Sequence, residues 1–217
     1  VTTQDGRGQR RFESPEHAGA PSLLAVSTHD EEPAHTAPIP GPVLGTESRP
    51  LGWTAGADLG LLVLRLVLGG TFVAHGAQKL FGAFDGPGID GFAGYLAGLG
   101  FQQTTLMAWI TGLTEFVGGI LVVLGLLTPL AAAGLLGVMI SSVAVKWPNG
   151  FFTGTGQGFE LDLVLAAAAA CLLLAGPGRA AMDTGRVWMR RPLISGLPFL
   201  LLAIGAAILV LLILRRR

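Results

Sequence analysis

The chain is short of charge, of cysteine and of clustered metal ligands, and each shortage closes off a class of function. Only 13% of its 217 residues are Asp, Glu, Lys or Arg, against about 25% in a soluble domain. So few charges cannot cover a water-facing globular surface. Basic and acidic residues number 14 each, so the net charge is zero and nothing points to a nucleic-acid partner. The single cysteine, Cys171, allows neither an internal disulfide nor a CxxC redox pair. Within "LVLAAAAACLLLAG" it reads as a small hydrophobe buried in the core. Four scattered histidines give no metal-ligand spacing. No flavin, haem or iron–sulfur motif is present, so any electron donor comes from another chain.

What the chain has instead is apolar length. Half of it is hydrophobic, at 51%, and the long runs all follow residue 56. Five stretches, near 58–82, 105–127, 129–146, 160–176 and 193–214, approach the roughly 20 residues that a helix needs to cross a bilayer. The fourth is the shortest, and "FELD" would have to help start it. Thr128-Pro129 makes a tight break between the second and third, suited to an antiparallel pair. Pro198 lies near the start of the fifth. The fold class expected is all-α, a polytopic membrane helix bundle of five spans behind an extended N-terminal tail. Arg179, Arg186, Arg190 and Arg191 follow the fourth span and Arg49 precedes the first, whereas loops 83–104 and 147–159 carry no Lys or Arg. That asymmetry places the N-terminus in the cytoplasm of a multi-pass protein of the inner (plasma) membrane. With five spans, Arg215, Arg216 and Arg217 then fall outside, against the rule. Trp53, Trp147 and Trp188 flank spans as interfacial anchors.

Residues 1–50 are a different material, rich in Pro, Gly, Ser, Thr and charge. They bury too little to offset ordering entropy and read as disordered in isolation. No apolar h-region follows "RGQRR" within about the next twenty residues, so it does not read as a signal peptide. "SLLAV" and "EEPAHTAPIPGPVLG" suit an extended segment lying along a neighbouring subunit. The organisation expected is a tail over 1–56, a membrane bundle over 57–184, and a basic linker with a last span over 185–217.

Polar residues inside the spans are costly and call for partners. Arg65, His75, Gln78 and Lys79 interrupt the first span, and Glu115 the second. Glycines at 69, 70, 76, 118, 119 and 125 mark where helices approach closely. At ~1.5 Å per residue, Glu115 lies roughly 14 Å from the outer end of its helix and His75 about 9 Å from that of its own. His75 is therefore the partner expected for Glu115, with Gln78 joining by hydrogen bonding. Lys79 and Arg65 are expected either to reach part of the way toward Glu115 or, taken alone, to snorkel to opposite interfaces. Two readings of His75 with Glu115 stand side by side: a pocket for a ligand headgroup or a proton, and an interhelical lock. Glu160 and Asp162 open the fourth span, where carboxylates suit the positive end of the helix dipole.

"RLVLGGTFVAHGAQKLFG", "TGLTEFVGGILVVLGLLTPLAA" and "NGFFTGTGQGFELDLVLAAAAACLLLAGPGRAAMD" resemble the DoxX family of small four-helix membrane proteins. The shared order is an Arg in the first helix, His-Gly-x-x-Lys-Leu, Glu-x-x-Gly-Gly, and a Glu before a final Gly-x-Gly-Arg, over roughly residues 59–183. The resemblance implies a DoxX-like four-helix core, to which this chain adds a fifth C-terminal span and the tail. It also implies association with redox systems, since some relatives are membrane subunits of thiosulfate:quinone oxidoreductases. The leading expectation is an accessory subunit, non-catalytic and docked in a larger membrane redox complex of the respiratory chain. Its partners would be lipids and other membrane subunits. The alternative is a quinone-reactive subunit whose pocket of His75, Gln78, Lys79 and Glu115, with Arg65 and Glu160 as further polar candidates, takes a quinone or lipid. A solute transporter fits least, because no pair of broken helices with repeat symmetry is visible.

Overall fold

The computed structural model describes residues 55–152, 154, 158–186 and 191–213. The tail over 1–50, Arg49, Trp53, Trp188, Arg190 and Arg215 to Arg217, on which several expectations rest, lie outside the described residues. The described residues are helical and contain no strand. We number the helices α1 (Ala55–Phe81), α2 (Gly88–Gly98), α3 (Thr104–Leu124), α4 (Thr128–Lys146), α5 (Glu160–Ala175) and α6 (Pro192–Ile213).

Ala55–Phe81, Thr104–Leu124, Thr128–Asn149 and Pro192–Leu212 are long and apolar enough to cross a membrane. The fourth expected span, α5, has 16 residues and falls short of the usual length. It still traverses the bundle. Asp162 in its first turn meets Lys146 at the end of α4, and the segment just after it meets Arg65 near the start of α1. Polarity is reversed relative to a water-soluble bundle: Arg65, Glu115, Asp162 and Asp183 are buried while Val67, Leu106, Leu201 and Leu209 are exposed. That is the arrangement a lipid solvent demands.

α1 and α3 form the closest helix pair, and glycines are the reason. A Cβ on Gly69 would fall 2.7 Å from the Gly119 carbonyl oxygen, and one on Gly76 would fall 2.5 Å from the Phe116 nitrogen. Backbones this close gain dispersion contacts that a side chain would forbid. Gly118 faces Leu135 of α4, whereas Gly70 has open space beside it and takes no part in the seam. Gly119→Val is therefore expected to pry α1 from α3 and lower the melting temperature in detergent, while Gly70→Ala leaves it unchanged. Differential scanning fluorimetry of the two variants separates these outcomes.

The α3–α4 break falls where Thr128-Pro129 predicts it. Gly125 takes a left-handed φ of 65°, and the Leu126 N–H returns to the Leu121 carbonyl at 2.9 Å, a Schellman-type ending. Pro129 occupies the first turn of α4, where its missing N–H costs nothing. Pro198 lies inside α6, in its second turn and near its start.

Two features depart from the sequence reading. The connection 83–104 contains α2, whose Ile89, Phe92, Ala93 and Leu96 sit at helical spacing against Met107 and Ala108. Its glycines made the stretch look like loop. Cys171 is exposed, not buried. α5 buries Asp162, Ala166, Ala169, Leu172 and Leu173, and Cys171 lies on the opposite, outward face.

Candidate functional site: an apolar cavity with two internal ion pairs

All six described helices contribute to a cavity of about 830 Å³. Its walls are mostly apolar, including Phe72 of α1, Phe92 and Tyr95 of α2, Ile110 of α3, Val138 of α4, Leu165 of α5 and Leu202 of α6. Charged groups enter it in two pairs. Lys79 Nζ donates to Glu115 Oε2 at 2.5 Å, joining α1 to α3. Lys146 Nζ donates to Asp162 Oδ2 at 2.8 Å, joining α4 to α5. The Ser142 hydroxyl donates to the other Asp162 oxygen at 2.9 Å, so both oxygens of that carboxylate are bonded. The Lys79 ammonium also lies 5.3 Å from the centroid of the Phe92 ring, within cation–π range. His75 lines the same cavity, and its imidazole makes no hydrogen bond to a described residue.

Lys79, not His75, is thus the partner of Glu115, and Lys79 does not snorkel. Every Cα–Cβ bond of a helix tilts toward the helix N-terminus. α1 starts at the Arg65 end, so the stem of Lys79 leans back into the bundle. α3 runs the other way, so Glu115 leans toward Lys79. The two tilts close the depth gap that helical rise alone left open.

Arg65 does not snorkel either, and it is not part of the cavity. It is 2% exposed, with Nε donating to the Val122 carbonyl at 3.2 Å and Nη2 to that of Val123 at 3.0 Å. Nη1 donates to the carbonyls of Pro177 and Ala180, both at 2.9 Å. One guanidinium therefore caps the C-terminal end of α3 and ties it to the segment after α5. Alongside it, Asp183 Oδ2 accepts from the Thr128 N–H at 2.9 Å and its hydroxyl at 3.2 Å, capping α4. Asp58 accepts from the Arg179 N–H at 2.8 Å. This end of the bundle is a latch built around "GPGRAAMD", while the cavity holds the ionisable side chains at the other.

Of the remaining candidates, Gln78 packs against Gly86, where a Cβ would come 2.6 Å from the Gln78 Cβ, and Glu160 opens α5. Neither lines the cavity. Lys146, Asp162 and Ser142 were missed as a group. A signal was available: the chain has only two lysines, 79 and 146, and both line this cavity. Ser142 and Lys146 are also four residues apart on one face of α4. Among the described residues, no group of three or more His, Cys, Asp or Glu side chains is placed to hold a metal ion.

Comparison with known proteins agrees with this architecture. The DoxX family model matches residues 60–147, which contain most of α1, all of α2 to α4 and three of the four residues of the cavity's ion pairs. A Mycobacterium tuberculosis protein named "Uncharacterized membrane protein Rv3486" is 32% identical over 134 residues, covering 57% of this chain and 78% of the relative. A Bacillus subtilis protein named "Putative oxidoreductase CatD" is 30% identical over 130 residues, covering 58% of this chain and 86% of the relative. No solved structure gives a significant match. With its glycine seam, its membrane-crossing helices and these relatives, the chain belongs to the DoxX family of multi-pass membrane proteins.

Proposed function

We propose that this DoxX protein binds a membrane quinone in the cavity and acts as the quinone-reactive component of an oxidoreductase. One observation carries the reading: two lysine–carboxylate pairs and an unbonded imidazole open into a single apolar cavity. At about 830 Å³ it lies within the ~300–1,000 Å³ typical of small-molecule sites, which pair apolar walls with a few polar groups. A quinone has that form, an apolar body with carbonyl oxygens that accept hydrogen bonds. Its reduction to a quinol takes up two electrons and two protons, one proton on each oxygen. Lys79, Lys146 and His75 are the proton donors at hand, with Glu115 and Asp162 holding the lysines in place. The electrons come from a separate redox protein. The relative named an oxidoreductase supports the reaction class.

The same reading sets the protein in the plasma membrane with its N-terminus cytoplasmic. Arg179, Arg186 and Arg191 support that orientation, since they follow α5 at the Arg65 end. The ionisable end of the cavity then faces away from the cytoplasm. The accessory-subunit expectation drew its docking argument from the fifth span and from residues 1–50, which lie outside the described residues; the cavity is what favours ligand binding.

Calorimetric titration of the purified protein with a water-soluble, short-chain benzoquinone tests this. Saturable binding is expected, weakened about tenfold or more in His75→Ala and in Lys146→Gln, the loss of one good polar contact. Absence of binding to the wild-type protein, or unchanged affinity in both variants, overturns the proposal.

A further inference from the structure

α2 joins the end of α1 to the start of α3, so it lies at the end of the bundle where the two ion pairs enter the cavity. Phe92, Tyr95 and Leu96 put it in the cavity wall. Its composition makes it a weak helix. The eleven residues "GIDGFAGYLAG" include four glycines, bury only Ala93 and Leu96, and have no side-chain cap at their N-terminus. Each glycine lowers helix stability relative to alanine. In the α1–α3 seam, glycine is explained by close backbone contact. At Gly94 and Gly98 it is not: both are exposed, and a Cβ at either would meet nothing within 4 Å. Neither takes a positive φ. Neither packing nor backbone conformation therefore requires glycine there.

The connections at both ends of α2 are strained. Among the described residues, four that are not glycine have a left-handed φ, and three of these flank α2: Phe84 at 54°, Asp85 at 58° and Gln103 at 51°. A residue with a Cβ pays for that conformation, and the strain is released if the chain unwinds. Few contacts oppose such a movement. Ala93 and Leu96 pack with Met107 and Ala108 of α3, and Val210 of α6 rests against the same cluster. The remaining hold is the Phe92 ring, 5.3 Å from the Lys79 ammonium. That ammonium is also the partner of Glu115.

We infer that α2 is a gate between the cavity and the aqueous phase at this end of the bundle, opening by local unwinding and held shut by Phe92 on the Lys79 ammonium. A helix with little apolar burial and strained connections opens at a lower free energy than the long helices around it. Closed, it keeps water from the ion pairs and so strengthens them. Lys79 links the gate to the contents of the cavity: a ligand that draws its ammonium out of place also loosens Phe92. The inference concerns access to the cavity for any ligand, so it stands or falls apart from the quinone reading.

Met107 lines the cavity, packs beneath α2 and is 8% exposed, which makes it a reporter of opening. Met107→Cys in a Cys171→Ala background, held in lipid nanodiscs, is treated with a water-soluble methanethiosulfonate bearing a sulfonate. Slow labelling is expected. Adding Gly94→Ala and Gly98→Ala should slow it about tenfold further, by stabilising the helical state. Adding Phe92→Leu should speed it about threefold or more, through loss of the cation–π contact. Hydrogen–deuterium exchange of residues 88–98, in protein that keeps Met107, provides a measurement free of the cysteine substitution. The same substitutions should shift exchange there in the same directions and leave α3 unchanged. Labelling and exchange that ignore the two alanines, or α2 amides as protected as those of α3, overturn the gate. Unchanged rates in Phe92→Leu overturn its coupling to Lys79.

Discussion

Arg65→Ala is expected to destabilise the protein more than any other single substitution in the bundle. The guanidinium donates to four carbonyls, those of Val122, Val123, Pro177 and Ala180. Two of these belong to the last turn of α3, where the Val122 carbonyl also accepts from the Gly125 N–H at 3.1 Å while that of Val123 depends on the guanidinium. Alanine leaves the Val123 and Pro177 carbonyls without their donor, and each buried unsatisfied group costs about 1–3 kcal/mol. The effects overlap, so a total of roughly 3–5 kcal/mol is the reasonable expectation. Lysine keeps the charge but presents a single point in place of a planar fork, so Arg65→Lys should fall between alanine and wild type. Arg179→Ala serves as the contrast. Its Nε lies 3.7 Å from Asp58 Oδ2 and its side chain is 68% exposed, which predicts almost no change. Thermal unfolding of the three variants in one detergent gives the order directly. A melting temperature for Arg65→Ala equal to that for Arg179→Ala would show that the latch carries no stability.

Glu115→Leu ranks second, and its partner supplies the control. Removing the carboxylate leaves the Lys79 ammonium, only 17% exposed, without its 2.5 Å acceptor. Breaking a buried pair on one side costs about 3–5 kcal/mol, whereas replacing both members by apolar groups is often neutral. The double variant Lys79→Met/Glu115→Leu should therefore regain most of the stability lost in the single one. Glu115→Gln should be mild, because its amide oxygen can still accept from Lys79. If leucine and glutamine at position 115 melt at the same temperature, or the double variant is no better than Glu115→Leu, the pair is not the stabilising contact described. The double variant has a second use. A stable bundle that has lost quinone affinity would separate the lock from the ligand site, the two readings that the sequence left open for this region.

The membrane class, the positions of the long apolar helices and the α1–α3 seam were legible in the sequence because they depend on local properties. Apolar runs of sufficient length become helices in lipid whatever surrounds them. Gly69, Gly76 and Gly119 mark a close approach because only they permit one. The order of motifs around His75, Lys79 and Glu115 identified the family. Pairing was another matter. Matching depths along straight helices joined Glu115 to His75, and the direction in which side chains lean joined it to Lys79 instead. That lean takes effect only when antiparallel helices are in contact. Lys146 and Asp162 stand on different helices, separated by a glycine-rich connection, and nothing in either helix alone points to the other.

Burial was the least legible property. α5 reads "ELDLVLAAAAACLLLA", apolar on every side past its first turn. In a soluble helix the polar face marks the outside, but in lipid the outside is apolar too, and the periodicity loses its meaning. The sequence by itself thus determined that the chain crosses a membrane, where its long apolar helices lie, though not α2, and which family it belongs to. Only the tertiary structure decided that Cys171 faces outward, that Arg65 caps α3, and that two ion pairs share one cavity, because each depends on the rotation of one helix against another.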